Sequence, residues 1–269
     1  MLTESFVLFN TEISPGYRRM RLLVSEAFVR KAAPGRFVML RVNDSTDPLL
    51  RRPFAVFDTG AASDGAYFEI LYRVIGRGTA MLSEKKKGDI LDILGPLGKG
   101  FSLDDSAGEK LLVGGGIGLA PLYALARKLR EASSTVRLFA GGRVRGDILC
   151  ADAFEAIGVE CRFTTEDGSI GERALVTQPL VRHLESLDIG ATIYACGPEA
   201  MLRAVAKIAA CRAIPCQVSL ESRMACGIGV CLGCVVPGRR HSVRTPDFRC
   251  VCAEGPVFDA REIDWKMSQ

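Results

Sequence analysis

Apolar and polar positions alternate in short runs through roughly the first hundred residues. Arg21-Leu-Leu-Val, Gly35-Arg-Phe-Val-Met-Leu-Arg-Val and Tyr67-Phe-Glu-Ile-Leu-Tyr-Arg-Val are examples. Gly and Pro punctuate them and no long helical period intervenes, which predicts an antiparallel β-barrel. The pattern changes near residue 101. Lys110-Leu-Leu-Val-Gly is an apolar strand running into glycines, and Leu119 to Arg130 reads as an amphipathic helix. Val136 to Gly141 and Thr192-Ile-Tyr-Ala read as further strands, and Glu199 to Ala210 as a second helix. Strands alternating with helices predict a parallel α/β nucleotide-binding domain. Residues 223–269 carry cysteines and little periodicity. The expected organisation is therefore three domains, 1–100, 101–222 and 223–269, with no internal repeat and no low-complexity linker.

Composition narrows the class. A chain of 269 residues has room for two compact domains and an appendage. Net charge is +4 with both signs interspersed, so no basic stripe supports nucleic-acid binding. No run of about 18 apolar residues offers a membrane span. Met-Leu-Thr-Glu-Ser-Phe at the start lacks the basic-then-apolar order of a signal peptide. The ten cysteines crowd toward the C-terminus at metal-ligand spacing, which fits a reducing cytoplasm better than secretion.

Cys226-Gly-Ile-Gly-Val-Cys231-Leu-Gly-Cys234 has the C-x4-C-x2-C spacing of a plant-type [2Fe-2S] site. Four thiolates must converge there, and Gly227, Gly229 and Gly233 permit the tight wrap. A zinc site would pair two C-x2-C elements, and inert buried thiols are the remaining alternative. Cys250 and Cys252 both qualify as fourth ligand. Period two places them on the same side of a strand, so local geometry does not choose.

Two turns suit a dinucleotide. Gly115-Gly116-Ile117-Gly118 joins a strand to a helix, with Pro121 in the first helical turn. Proline stands where G-x-G-x-x-G has its third glycine, and Gly141-Gly-Arg143 replaces the acidic residue at the second strand's end. Cys196-Gly197-Pro198-Glu199 follows a later strand, which places Cys196 either near the reactive end of a nicotinamide or, as a small thiol, in the buried core. In the first region Arg52 suits a flavin phosphate, Pro53 stiffens the strand and Phe54 suits ring packing. Arg73, Gly78 and Thr79 offer charge and donors to a pyrophosphate. Arg143 and Arg145 suit a 2′-phosphate, although Asp147 lies close by. His183 and His241 fall outside the motifs and read as surface or loop residues.

Together the Arg-Pro-Phe, Gly-Gly-Gly-Ile-Gly and Cys-Gly-Pro-Glu segments resemble the ferredoxin–NADP reductase superfamily. Leu220-Glu-Ser-Arg-Met-Ala-Cys-Gly-Ile-Gly-Val-Cys and Cys252-Ala-Glu-Gly-Pro-Val-Phe resemble the electron-transfer subunit of type B dihydroorotate dehydrogenase. The resemblance spans nearly the whole chain. It implies FAD, a [2Fe-2S] cluster, NAD and a catalytic partner subunit carrying FMN, in a heterotetramer of two copies each. It implies flavin contacts at Arg52, Pro53, Phe54 and Ala55, at Leu71, Tyr72 and Arg73, and at Gly78 and Thr79. Ala55 stands where the family commonly has serine. It also implies Cys252 as fourth ligand, because the family's last cysteine directly precedes x-x-Gly-Pro-Val-Phe. The implied role is in pyrimidine biosynthesis: the partner oxidises dihydroorotate, and electrons pass through cluster and FAD to NAD⁺. Small subunits of an NADH-dependent ferredoxin–NADP reductase or a sulfhydrogenase share these motifs. A stand-alone oxygenase reductase has its final ligand about 30 residues on, against 18 positions from Cys234 to Cys252 here. A cluster-based redox sensor is the non-enzymatic alternative.

Overall fold

The structure, a computed structural model, describes residues 2–103, 108–239 and 247–266. Seven strands form the first sheet: β1 (Leu2–Ser14), β2 (Tyr17–Leu23), β3 (Phe37–Arg41), β4 (Arg52–Ala55), β5 (Asp58–Ala62), β6 (Gly65–Arg73) and β7 (Ile90–Leu97). Their order is β4-β3-β7-β1-β2-β6-β5, and every pairing is antiparallel. The alternation seen in sequence is the reason. Met20 and Leu22 on β2, with Phe68, Ile70 and Tyr72 on β6, turn inward to one core around Phe28 of α1 (Glu26–Lys31). A short helix, α2 (Arg77–Ser83), lies among the strands, carrying Gly78 and Thr79. Its seven residues are too few to show a helical period.

The second sheet is built from β8 (Glu109–Gly115), β9 (Val136–Gly142), β10 (Glu160–Thr165), β11 (Glu172–Arg173), β12 (Ala191–Cys196) and β13 (Cys216–Ser219). These pair parallel in the order β11-β10-β9-β8-β12-β13. All seven residues of β8 are buried, as expected for the central strand of a sheet covered on both faces. Leu112, Leu138 and Tyr194 face α3 (Leu119–Glu131) and α4 (Ala151–Ala156). Leu111, Val113 and Ile193 face α5 (Thr177–Glu185) and α6 (Glu199–Cys211).

The C-terminal residues do not form a core of their own. After a two-stranded ribbon, β14 (Val235–Pro237) with β15 (Phe248–Cys250), and a helical turn α7 (Val251–Glu254), the chain re-enters the second sheet. There β16 (Val257–Asp259) pairs antiparallel with β13. Cys234, Cys250, Val251 and Cys252 share one buried cluster with Phe37 and Met39 of β3 and Val218 of β13. The cysteine segment therefore rests on both larger units.

Those units are joined by specific contacts. Arg127 on α3 pairs with Asp58 on β5 and donates to the Thr59 carbonyl at 3.0 Å. The Phe57 and Tyr123 rings stack at 4.6 Å. Tyr17 Oη donates to Asp147 Oδ1 at 2.8 Å, and Ser14 Oγ donates to the Gly146 carbonyl at 2.9 Å. No helix among the described residues is long and apolar enough to cross a membrane.

Candidate cofactor sites

A cavity of about 490 Å³ crosses the carboxyl ends of the parallel strands. Gly115, Gly116 and Ile117 from the β8–α3 turn line it, as do Gly197 and Pro198 from the β12–α6 turn. Tyr17 and Arg73 close it from the first sheet. Such an edge is where open α/β sheets take nucleotides, with backbone N–H groups of the glycine turn facing the pyrophosphate. Gly118 acts differently. A Cβ there would lie 2.3 Å from the Cys196 carbonyl oxygen, so its missing side chain lets the two turns touch. The absence of its third neighbour, a G-x-G-x-x-G glycine, leaves this approach intact.

Cys196 takes the second of the two places open to it, that of a buried core thiol. Its side chain is buried in the core among Leu112 and Tyr194 and is not among the residues lining the cavity. Burial, reinforced by the Glu221 charge, pushes its thiol far up, so it stays protonated. Alternation along β12 explains the placement: Cys196, like Tyr194, faces the α3 side of the sheet, whereas Ile193 and Ala195 face the α6 side.

At the second strand's end Arg143 is held by Asp147, with Nε 3.1 Å from Oδ2. Burial alone would raise the Asp147 carboxyl. Hydrogen bonds from Arg143 and Tyr17 outweigh it and hold the group below the ordinary carboxylate range.

The first sheet brings together a second constellation. Arg52 lies across the start of α2, where a Cβ on Gly78 would meet its Nε at 2.8 Å. The first N–H groups of a helix have no intrahelical acceptor, so a cation beside them makes a phosphate-sized cradle. The Thr79 hydroxyl is already engaged. It accepts from the Ile75 and Gly76 N–H groups and donates to the Gly76 carbonyl. Only its backbone remains for a ligand. Phe54 is buried edge-on to Tyr72 at 5.8 Å, and the Tyr72 hydroxyl donates to Asn10 Oδ1 at 2.8 Å. The ring that Phe54 packs on is thus Tyr72. Pro53 and Ala55 pair with Met39 and Phe37, and Leu71 is buried. Arg73 extends over the Tyr17 ring at 5.4 Å, at the cavity's mouth.

Three cysteines form a third constellation, which includes Cys234 and Cys252 of the expected ligand set together with Cys250, whereas Cys226 is part-exposed, Cys231 is exposed, and neither belongs to the group. The sulfurs of Cys234, Cys250 and Cys252 lie within 4.8 Å of one another, all buried. Cys250 ends β15 whereas Cys252 sits in α7, so the two do not share a strand. The turn between them still leaves their sulfurs 3.7 Å apart. Cys252 connects to both arms of the motif. Its N–H donates to Cys234 Sγ at 3.3 Å, and its sulfur accepts from the Gly229 N–H at 3.0 Å. Gly227 and Gly229 have φ of +72° and +84°, which curls the Cys226–Cys231 loop over these sulfurs. N–H groups of Ile228 and Cys231 pull the Cys226 thiol down to about 6. Burial pushes the Cys250 and Cys252 thiols up. Buried thiols, backbone donors and a glycine-rich wrap fit an iron–sulfur centre.

His183 departs from the surface position expected of it. It lies on α5 with a side chain 9 % exposed, its Nε2 2.6 Å from Glu109 Oε2. Nothing local in the sequence marks that pairing, which spans 74 residues. His241 lies outside the described residues.

Sheet-rich unit, α/β unit and cysteine segment, in this order, define an oxidoreductase of ferredoxin–NADP reductase-like fold. A solved NADH-dependent reduced ferredoxin–NADP oxidoreductase, described for flavin-based electron bifurcation, superposes with a TM-score of 0.84 at 28% identity. The match covers 97% of this chain and 90% of that one. Residues 112–207 match the oxidoreductase NAD-binding domain, and residues 221–264 match the iron–sulfur cluster binding domain of dihydroorotate dehydrogenase B. The dihydroorotate dehydrogenase B (NAD(+)) electron transfer subunit of Desulforamulus reducens is 36% identical over 88% of each chain. That of Bacillus caldolyticus is 42% identical over 86% of each. The chain belongs to this family of electron transfer subunits.

Proposed function

We propose that the chain carries electrons between a catalytic partner subunit that oxidises dihydroorotate on FMN and the NAD⁺ bound in its own cavity. FAD, when bound, supplies exchange between one- and two-electron carriers, and a [2Fe-2S] cluster supplies one-electron transfer. The chain's residues bind, orient and insulate these groups. Cys226, Cys231, Cys234 and Cys252 hold the cluster. Arg52 and the backbone of Gly78 and Thr79 hold the flavin pyrophosphate, with Pro53, Phe54, Ala55, Leu71, Tyr72 and Arg73 shaping its pocket. Gly115, Gly116 and Ile117 meet the nucleotide, Gly118 and Cys196 support that turn, and Gly197 and Pro198 face its nicotinamide half.

The observation that carries this reading is the meeting of three constellations on one scaffold: a nucleotide cavity, a phosphate cradle and a buried sulfur cluster. Phe54 and Tyr72 meet across the core although β4 and β5 end the sheet, which supports a curled, barrel-like first domain. The units are assigned as 1–100, 101–222 and 223–269, the last docked on the other two. Ile228, Val230 and Leu232 stand exposed around Cys231, an apolar rim suited to a partner's surface. A heterotetramer with two copies of each subunit, working in the cytoplasm, completes the proposal.

The test is reconstitution. Chain loaded with FAD, iron and sulfide is expected to oxidise NADH with artificial acceptors and to leave dihydroorotate untouched. Adding the co-purifying partner should restore dihydroorotate-dependent NAD⁺ reduction. Turnover of dihydroorotate by the chain alone would refute the division of labour. The fold shared with the NADH-dependent ferredoxin–NADP oxidoreductase favours a second reading, a small subunit of such a complex. A partner lacking FMN would select it.

A further inference from the structure

Four buried side-chain polar atoms among the described residues have no hydrogen-bond partner: Asp92 Oδ1, Arg137 Nε, Thr164 Oγ1 and Arg249 Nε. Three belong to groups that are ion-paired through other atoms, Asp92 with Arg51, Arg137 with Glu160 and Arg249 with Glu254. Thr164 has no second bond of this kind, because its hydroxyl is its whole polar side chain. Its neighbour Thr165 shows the usual outcome. That hydroxyl donates to the Ile170 carbonyl at 3.0 Å and accepts from the Ile170 N–H at 3.2 Å. A buried hydroxyl without a bond forfeits its hydration, and valine would fill the same shape without that cost.

Thr164 is 1 % exposed and lines the floor of the nucleotide cavity. Alternation along β10 turns Thr164 and Thr165 to opposite faces of the sheet. Thr164 pairs across the ladder with Gly141 on β9. A Cβ on Gly141 would lie 3.5 Å from the Thr164 oxygen, so glycine keeps side-chain atoms away from the hydroxyl on that flank. Ala174, Leu175 and Val176 line the same end of the cavity. Their side chains can pack on a flat ring but offer it no hydrogen bond. Glu166 and Thr177 also line this end but are more exposed, where water satisfies them.

The strand order says which part of a ligand lies here. A dinucleotide whose pyrophosphate sits over the β8 turn carries its adenosine ribose to the end of the second strand, here β9. The base then extends one strand further, over β10, where Thr164 and the apolar wall meet. We propose that the Thr164 hydroxyl hydrogen-bonds the adenine base of the dinucleotide, an assignment that rests on reading this cavity as the NAD site. The edge of adenine presents ring-nitrogen acceptors and an amine donor, and a hydroxyl can serve either. The base supplies the bond that the protein itself does not make.

The experiment measures equilibrium binding of NAD⁺, and of its analogue lacking the adenosine 2′-hydroxyl, to the chain loaded with FAD and iron. Wild type, Thr164→Val and Thr164→Ser are compared, each also melted without nucleotide. Thr164→Val keeps the shape and removes the hydroxyl. It is expected to weaken both ligands about fivefold, the loss of one neutral hydrogen bond, without lowering the nucleotide-free melting midpoint. Thr164→Ser keeps the hydroxyl and is expected to bind NAD⁺ within about twofold of wild type. Unchanged affinity in Thr164→Val overturns the assignment, as does a Ser variant as weak as the Val variant. A Val penalty confined to NAD⁺ places the bond on the ribose and overturns the assignment to the base. A lowered midpoint in Thr164→Val shows the hydroxyl to be bonded within the protein and overturns it as well. Wild-type protein that binds neither ligand overturns the cavity reading itself, a distinct outcome.

Discussion

Two glycine-rich turns serve this chain in opposite ways. At the β8–α3 turn, Gly118 is demanded by rigid neighbours: a Cβ there would meet the Cys196 carbonyl oxygen and carbon at 2.3 and 2.5 Å. Backbone cannot step aside, so that turn is built by protein packing alone. In the cysteine loop, the atoms nearest a Cβ on Gly227 belong to the Met39 side chain, and on Gly229 to Ala253 Cβ. That loop needs the left-handed backbone of its glycines, and it is tied to the buried sulfurs by the Gly229 N–H donating to Cys252 Sγ, while its own Cys226 and Cys231 stand outside the group of converging sulfurs. The nucleotide site is thus prebuilt, whereas the cluster site is completed by what it binds. Metal binding to such a site is coupled to its local folding.

The largest expected effect tests the cluster side. Cys252→Ser should abolish the visible absorption of the reconstituted cluster, because Cys252 links the Cys234 arm to the Gly229 loop. Cys250→Ser should leave most of it. The reverse result, read from the same spectra, would make Cys250 the ligand and the Gly229 contact incidental.

Next comes the prebuilt turn. Gly118→Ala should cost about 2–3 kcal/mol, an overpacking penalty, lowering the thermal midpoint by at least about 5 °C. Gly116→Ala provides the contrast. A Cβ there meets nothing within 4 Å, and only its φ of +54° resists substitution. It should cost about 1 kcal/mol. Equal losses in the two variants would show that conformation, not contact, sets the turn.

This contrast also explains what could be read from the chain. Glycine spacing and C-x4-C-x2-C announced the nucleotide turn and the cluster, since both depend on residues close in sequence. The alternation in β2 and β6 announced the first sheet for the same reason. Helix α2 was hidden by its brevity, and β16 by having only three residues. The burial of Cys196 and the pairing of His183 with Glu109 depend on which face of a sheet a helix covers. Cys196 is the last residue of β12, so whether it faces the turn or the core depends on the strand's alternation and not on the turn motif that follows it.

The smallest expected effect concerns how the prebuilt cavity is held against the first sheet. Asp147 accepts from Tyr17 of β2 and from Arg143, so its carboxylate fastens one unit to the other. Its folded value lies below the ordinary one. The stabilisation it brings is therefore complete above about pH 4, the unfolded carboxyl's range, and is lost as pH falls through the lower folded value. Asp147→Asn keeps the shape and removes the charge. It should lower stability near pH 7 by about 1 kcal/mol, the difference between a charged and a neutral hydrogen bond to a buried phenol. The gap between wild type and variant, followed by thermal melts, should stay constant from pH 8 to about pH 5 and close below about pH 4. A gap that persists into acid would mean that Asp147 acts through its shape, and that the cavity's outer wall, like Gly118 at its floor, is held by packing rather than by charge.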